Sequence, residues 1–238
     1  MRRNMIPTGF LLAVTFLLAG CTLPQPSSGI PPPSPSSPPE ERAEAGSSEQ
    51  RSPALILSGS GGVREHLLPT SILELGEATA PVTLLVFTEP HCRYCRDFER
   101  TMLPGLTEDF VKQGRLKIDI VIFPLQKYEY SKESAAALLC AAMEGKGLPM
   151  HGLLFRGFTK ARPTPAAYAE DAGLDPKKFK SCMEDGSTAV ILAQHASLAR
   201  SLAVSLVPTF FLSGEKTIGL PDEADLRGMI GEKLREAH

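Results

Sequence analysis

The sequence predicts an α/β domain in which a βαβ half and a ββα half flank an inserted helical block. Two aliphatic runs, PVTLLVFT from residue 81 and LKIDIVIFPL over 116–125, enclose a stretch with apolar residues at helical spacing. About eighty Ala- and Leu-rich residues follow, and strand character returns only at VPTFFLSGEKTIG over 207–219.

The first run lacks polar alternation and reads as a strand buried on both faces, beginning after Pro81. Between residues 92 and 113, Phe98, Met102, Leu106 and Phe110 share one helical face, with Pro104 a kink and Gly114 a stop. The second run is another buried strand, and strand, helix, strand in some forty residues defines a parallel βαβ unit. The block from about 128 to 205 is punctuated by Gly and Pro, with Ser131, Thr164, Asp175 and Ser187 as helix caps. Ser213-Gly214 or Gly214-Glu215 turns a hairpin between TFFL and KTIG. Asp222 or Glu223 then opens a last helix with Leu226, Ile230 and Leu234 on one face.

These elements place the domain at residues 53–238, and what precedes it has another character. Arg2 and Arg3 lead an apolar run from Met5 to Ala19, too short for a membrane span and suited to a signal peptide over 1–20. Leu18-Ala19-Gly20-Cys21 resembles the bacterial lipobox, which implies cleavage before Cys21 and a covalent lipid on it. Acyl chains worth about 0.8 kcal/mol per methylene would hold the protein on a membrane without a spanning helix. Residues 21–52 are Pro, Ser, Glu and Gly with hardly a large apolar side chain, the composition of a disordered tether. Losing both leading arginines leaves 23 of the 25 basic side chains against 27 acidic ones. That balance argues against nucleic acid as a partner and against electrostatic attachment to anionic lipid.

Of five cysteines, at 21, 92, 95, 140 and 182, two form the C-x-x-C of TEPHCRYCRDF, where the first strand yields to the helix. A zinc site would need a second close pair of Cys or His, which the sequence lacks, so no metal is expected. A permanent staple across so small a loop would remove little chain entropy. A reversible dithiol remains. Amide groups left free at a helix start, and the positive end of its dipole, favour thiolate at Cys92. Cysteines in such motifs have pKa values from about 7 down to about 3.5. Cys92, at the helix start and exposed, is the expected nucleophile, and Cys95, inside the first turn, the resolving thiol. Arg93 either turns inward and favours the thiolate further or lies solvated. His91 either donates to the thiolate or sits on the surface.

The order strand, F-x-x-P-x-C-x-x-C, helix, strand, helical insertion, V-P-T, hairpin, helix resembles the DsbA-like branch of the thioredoxin superfamily over roughly residues 70–236. The resemblance implies a thioredoxin-like fold, with Val207-Pro208-Thr209 placing a cis proline opposite the dithiol and leaving backbone free to pair with substrate. It implies a thiol:disulfide oxidoreductase without a dissociable cofactor. Its partners would be unfolded or cysteine-containing envelope proteins and a membrane redox partner that resets the dithiol. A lipid-anchored monomer facing the periplasm or the outside completes the picture, and Thr22 after the lipid cysteine resembles outer-membrane sorting. Two departures stand out. Many relatives carry a buried acid six residues before the first cysteine, and here that position is Val86, with Glu89 nearer but in the loop. The dipeptide Arg93-Tyr94 is unusual, and Tyr in the second place resembles isomerases, whereas Val207 before the proline leans toward oxidases. Cys140 and Cys182 would form a second disulfide, as in some DsbA-like proteins, or serve as small buried residues. A competing reading is a non-catalytic binding or structural lipoprotein on the same fold.

Overall fold

The computed structural model describes residues 62–157 and 164–237. The expected signal peptide over 1–20, the expected lipid site Cys21 and the expected tether over 21–52 lie outside the described residues. In chain order the strands are β1 (Glu65–Leu67), β2 (Leu73–Leu75), β3 (Val82–Thr88), β4 (Leu116–Ile122), β5 (Thr209–Leu212) and β6 (Glu215–Ile218). The helices are α1 (residues 93–111), α2 (Ser131–Met143), α3 (Gly147–Arg156), α4 (Pro176–Glu184), α5 (Gly186–Ser201) and α6 (Glu223–Glu236), with a 3₁₀ turn at Pro165–Tyr168.

The six strands form one sheet in the order β1-β2-β4-β3-β5-β6. The β3–β4 pair is parallel, from Val82 opposite Leu116 to Thr88 opposite Ile122, and the other four pairs are antiparallel. This is a thioredoxin-like sheet, with the βαβ half joined to the ββα half through β3 and β5.

One face of the sheet carries the main core. Leu84, Val86, Ile118, Ile120, Phe210 and Leu212 pack with Phe98, Leu103 and Leu106 of α1 and with Leu226, Ile230 and Leu234 of α6. Each fully buried Leu, Ile or Phe contributes about 1.5–3 kcal/mol. On the other face Phe87, Val121 and Phe211 pack with Ala199 of α5 and with Val204 in the segment that follows it. Burial on both faces therefore holds only at one end of the central strands: Thr83, Leu85, Lys117 and Asp119 are half-buried.

The α1 helix alternates between α (Arg93–Asp97, Leu103–Leu106) and π (Phe98–Met102, Thr107–Val111) winding. The first π segment ends just before Pro104, which lacks an N–H for the α ladder, so the kink expected there takes the form of a local widening. The chain leaves the helix through Gly114 at φ +65°.

Asp175 caps α4, accepting from the amides of Lys177 and Lys178, which hold its carboxyl below the usual range. Asp185, not Ser187, caps α5: its carboxylate accepts from the Ser187 amide. Ser131 is the first residue of α2 and its hydroxyl accepts from the Leu125 amide, so it ties the preceding loop down instead of capping. Thr164 precedes the 3₁₀ turn without a side-chain cap.

Sequence reasoning gave no hairpin at β1–β2, whose three-residue strands are too short to show a period. This hairpin extends the sheet and holds the helical block: Glu65 of β1 accepts from the amides of Gly147 (2.9 Å) and Leu148 (2.8 Å) at the start of α3. Gly147 is needed for this approach, since a Cβ there would lie 2.8 Å from Leu73 Cδ1. Within the block a disulfide joins Cys140 of α2 to Cys182 of α4, with Cα atoms 5.9 Å apart.

Candidate active site

β3 ends at Thr88 and α1 begins at Arg93, so four residues, Glu89 to Cys92, carry the chain from sheet to helix. Two contacts fix this turn. The Cys92 amide donates to the Glu89 carbonyl at 3.0 Å, and Arg96 donates to the Pro90 carbonyl at 2.9 Å. Cys92 takes extended backbone geometry as the N-cap, and Cys95 falls in the first turn. The helix therefore points its first amides toward the cysteine that precedes it.

From the other half of the fold, the segment before β5 closes on the dithiol. The Val207–Pro208 peptide bond is cis, and Cys92 Sγ lies 3.5 Å from the Val207 carbonyl oxygen, a contact spanning 115 residues. Cys92 is consequently only 8% exposed, less open than its place at a helix start predicts, and Cys95 is fully buried. Behind Cys95, Phe98 packs edge-on to Phe210 at 4.9 Å.

Both cysteines are free thiols. The Cys95 thiol is pushed far above its ordinary range, first by burial and then by the hydrogen bond and charge of Cys92; the Thr88 hydroxyl and the Glu89 amide pull the other way. Contacts that neither expectation included hold His91. Its backbone amide donates to Glu89 Oε2 (2.7 Å), its Nδ1 lies 2.8 Å from Glu89 Oε1, and its ring stacks on Tyr128 at 5.2 Å. The Glu89 side chain is wholly buried under this clasp. Arg93 lies solvated, its side chain 83% exposed near Asp97, and Tyr94 is 59% exposed. Val86 is a packed core residue.

The fold thus gathers Glu89, His91, Cys92, Cys95, Val207 and Pro208 at one end of the sheet. Arg93 and Tyr94 border that site, while Cys140 and Cys182 belong to the helical block. Sequence reasoning missed Thr88 and Tyr128. Thr88 had one legible signal, a hydroxyl closing an otherwise aliphatic strand; Tyr128, in a loop after β4, had none. Beyond Tyr128 a cleft of about 520 Å³ runs between that loop and α5, walled by Phe123, Leu125, Leu192 and Ala196. Among the described residues, no group of three or more His, Cys, Asp and Glu side chains could hold a metal ion.

A family model described as thioredoxin matches residues 68–232. Oxidised BdbD from Bacillus subtilis superposes with a TM-score of 0.60 at 20% identity, covering 68% of this chain and 92% of that one. A thioredoxin-like oxidoreductase from Silicibacter pomeroyi gives 0.61 at 25% identity, covering 72% and 95%. Wolbachia pipientis α-DsbA1 gives 0.61 at 19%, covering 72% and 94%. The chain belongs to the thioredoxin family, and these solved structures share its fold. Among curated proteins, the Na(+)/H(+) antiporter NhaA 3 of Salinispora tropica is 29% identical over 169 residues, 69% of this chain but 25% of the antiporter. The chain spans about a quarter of the length of the curated relatives it matches, so transport does not carry over from them.

Proposed function

We propose that the chain is an exported, lipid-anchored oxidase of cysteines in envelope proteins, working through the Cys92–Cys95 pair. The observation that carries this is the approach of Cys92 Sγ to the Val207 carbonyl. It sets the outer sulfur beside backbone that an extended client strand can pair with. A client thiolate attacks Cys92 of the disulfide, the S–S bond breaks, and Cys95 leaves with the electron pair. A second client thiolate then displaces Cys92, so the client gains a disulfide and the dithiol is left reduced. A membrane redox partner takes those two electrons to restore the disulfide. The cleft beyond Tyr128 is apolar enough to hold a client's hydrophobic side chain during this exchange. Val207 before the proline supports oxidation over reduction or isomerisation, and the signal peptide and Cys21 support a periplasmic or outward-facing anchor on the envelope.

Cys92→Ser abolishes exchange, and Cys95→Ser accumulates covalent mixed disulfides with clients. Titration against a glutathione buffer distinguishes the directions: a reduction potential of about −120 mV fits an oxidase and about −270 mV a reductant. Cys21→Ser releases the protein from the membrane fraction; membrane retention would overturn the anchor.

A further inference from the structure

Resting on the oxidoreductase reading, the question is what holds the Cys92 sulfur at the start of α1. The turn from Glu89 to Cys92 lies between strand and helix, so individual contacts must fix its geometry. Glu89 supplies three of them: its carbonyl accepts from the Cys92 amide at 3.0 Å, its Oε2 accepts from the His91 amide at 2.7 Å, and its Oε1 lies 2.8 Å from His91 Nδ1. A wholly buried carboxylate is costly unless its oxygens are satisfied. Here one residue, His91, satisfies both. The Glu89 side chain, the imidazole and the Cys92 backbone are therefore fixed relative to one another.

The imidazole is itself held from another segment of the chain. Tyr128, in the loop between β4 and α2, stacks on it with ring centroids 5.2 Å apart and planes 23° from parallel. That loop is laced at both ends. The Phe123 amide donates to the carbonyl of Thr88, the last residue of β3, at 2.8 Å. The Leu125 amide donates to the hydroxyl of Ser131 at 2.8 Å, and Ser131 is buried at the first position of α2. Between these anchors the Tyr128 amide donates to the Leu125 carbonyl at 3.0 Å, and the Ser131 amide donates to the Tyr128 carbonyl at 3.3 Å. The ring is thus presented by a braced frame, as a support for a reactive group must be.

We propose that Tyr128 is a positioning residue for Cys92, acting through His91 and Glu89 to keep the sulfur where the first amides of α1 favour its thiolate. Every link in this path is a contact: ring on ring, imidazole on carboxylate, and Glu89 carbonyl on Cys92 amide. Cys92 takes extended geometry before the helix and places Sγ 3.5 Å from the Val207 carbonyl, a position that a rotated turn would lose. Without the stack the imidazole is freer to swing, the carboxylate follows it, and the sulfur samples positions away from the helix amides. An aromatic pair corresponds to about two- to tenfold in an equilibrium constant, which bounds the effect.

The charged and titratable groups along the path are accounted for by their contacts. Lys127 Nζ lies 4.8 Å from the Tyr128 ring centroid, Arg96 donates to the Pro90 carbonyl, and Arg93 lies solvated near Asp97. Cys95, in the first turn of α1, is the other thiol of the site.

The test uses the full-length protein with Cys95→Ala, so that the rate of alkylation by iodoacetamide against pH reports the Cys92 thiolate. Tyr128→Ala should move that titration up by about 0.3 to 1 pH unit, and Tyr128→Phe, which keeps the ring, should restore it. Tyr128→Leu fills the space without an aromatic face and should behave as Ala does, which covers an Ala variant that folds poorly. His91→Ala should shift the titration in the same direction, and adding Tyr128→Ala to it should shift it no further. With both cysteines present, Tyr128→Ala should equilibrate with glutathione at a potential more negative by up to about 30 mV, the equivalent of tenfold. A titration within about 0.1 pH unit of wild type for both Ala and Leu at 128 would overturn the proposal. So would a Phe variant displaced as far as Ala, or shifts of Tyr128→Ala and His91→Ala that simply add. Failure of the oxidoreductase reading looks different: the wild-type dithiol itself would not exchange with glutathione, while the Cys92 titration would still respond to Tyr128.

Discussion

Replacing Asp119 by Asn probes an unusual feature of the sheet, a carboxylate pair on adjacent strands. Asp119 of β4 sits opposite Glu74 of β2, which is itself buried and ion-paired with Lys117 at 3.1 Å. The Asp119 carboxyl is pushed up from 3.8 to about 6, chiefly by burial and then by the Glu74 charge and hydrogen bond, against a smaller opposing effect of Lys117. The unfolded chain binds this proton with a pKa of about 3.9, so folding favours the protonated acid. Its stabilising effect is complete below about pH 4, is lost as the pH rises to about 6, and stays lost above that. Two units at 1.36 kcal/mol each give about 3 kcal/mol, which solvent screening of a half-exposed side chain reduces to about 1–2 kcal/mol. Asp119→Asn, neutral at every pH, should match wild type near pH 4 and exceed it by about 1–2 kcal/mol at pH 7.5. Urea unfolding at half-unit steps from pH 4 to 8 measures the difference. A wild type–Asn difference that stays flat across that range, or an Asn variant less stable at pH 7.5, would refute the reasoning.

Two further outcomes are expected. Replacing Cys140 and Cys182 together by Ala opens a 42-residue loop, and chain entropy then predicts a loss of about 4 kcal/mol in urea unfolding; a loss below about 1 kcal/mol would mean the helical block is held by packing alone. Glu65→Gln removes the charged cap from α3 and should cost about 1 kcal/mol, with faster hydrogen exchange at the Gly147 and Leu148 amides; unchanged exchange there would refute the capping role.

What the sequence reveals depends on how far away the deciding contacts lie. Val82–Thr88 and Leu116–Ile122 were legible because seven consecutive strand residues carry a pattern of their own. The C-x-x-C was legible because spacing and position after a strand already restrict its chemistry. The β1–β2 hairpin was not, since its stability comes from docking on β4 and on α3 rather than from its own few residues. The cap of α5 was misplaced by two positions because Asp185 and Ser187 both suit the role, and only the helix register chooses between them. Cys92 read as exposed because nothing local closes over it; the Val207 backbone does, from 115 residues away. His91 was framed as a choice between thiolate and solvent, and its contact with Glu89, two residues back in the chain, was not foreseen.

The Cys140–Cys182 bridge changes how the protein's electron capacity should be counted. Cys140 is fully buried between helices of the insertion, beyond the reach of any client that docks at Cys92. Complete reduction thus consumes four electrons although turnover moves two. Among the described residues, a thiol titre taken after reduction and denaturation counts four sulfhydryls, so a concentration of active dithiol derived from it at two per molecule would be twice too high.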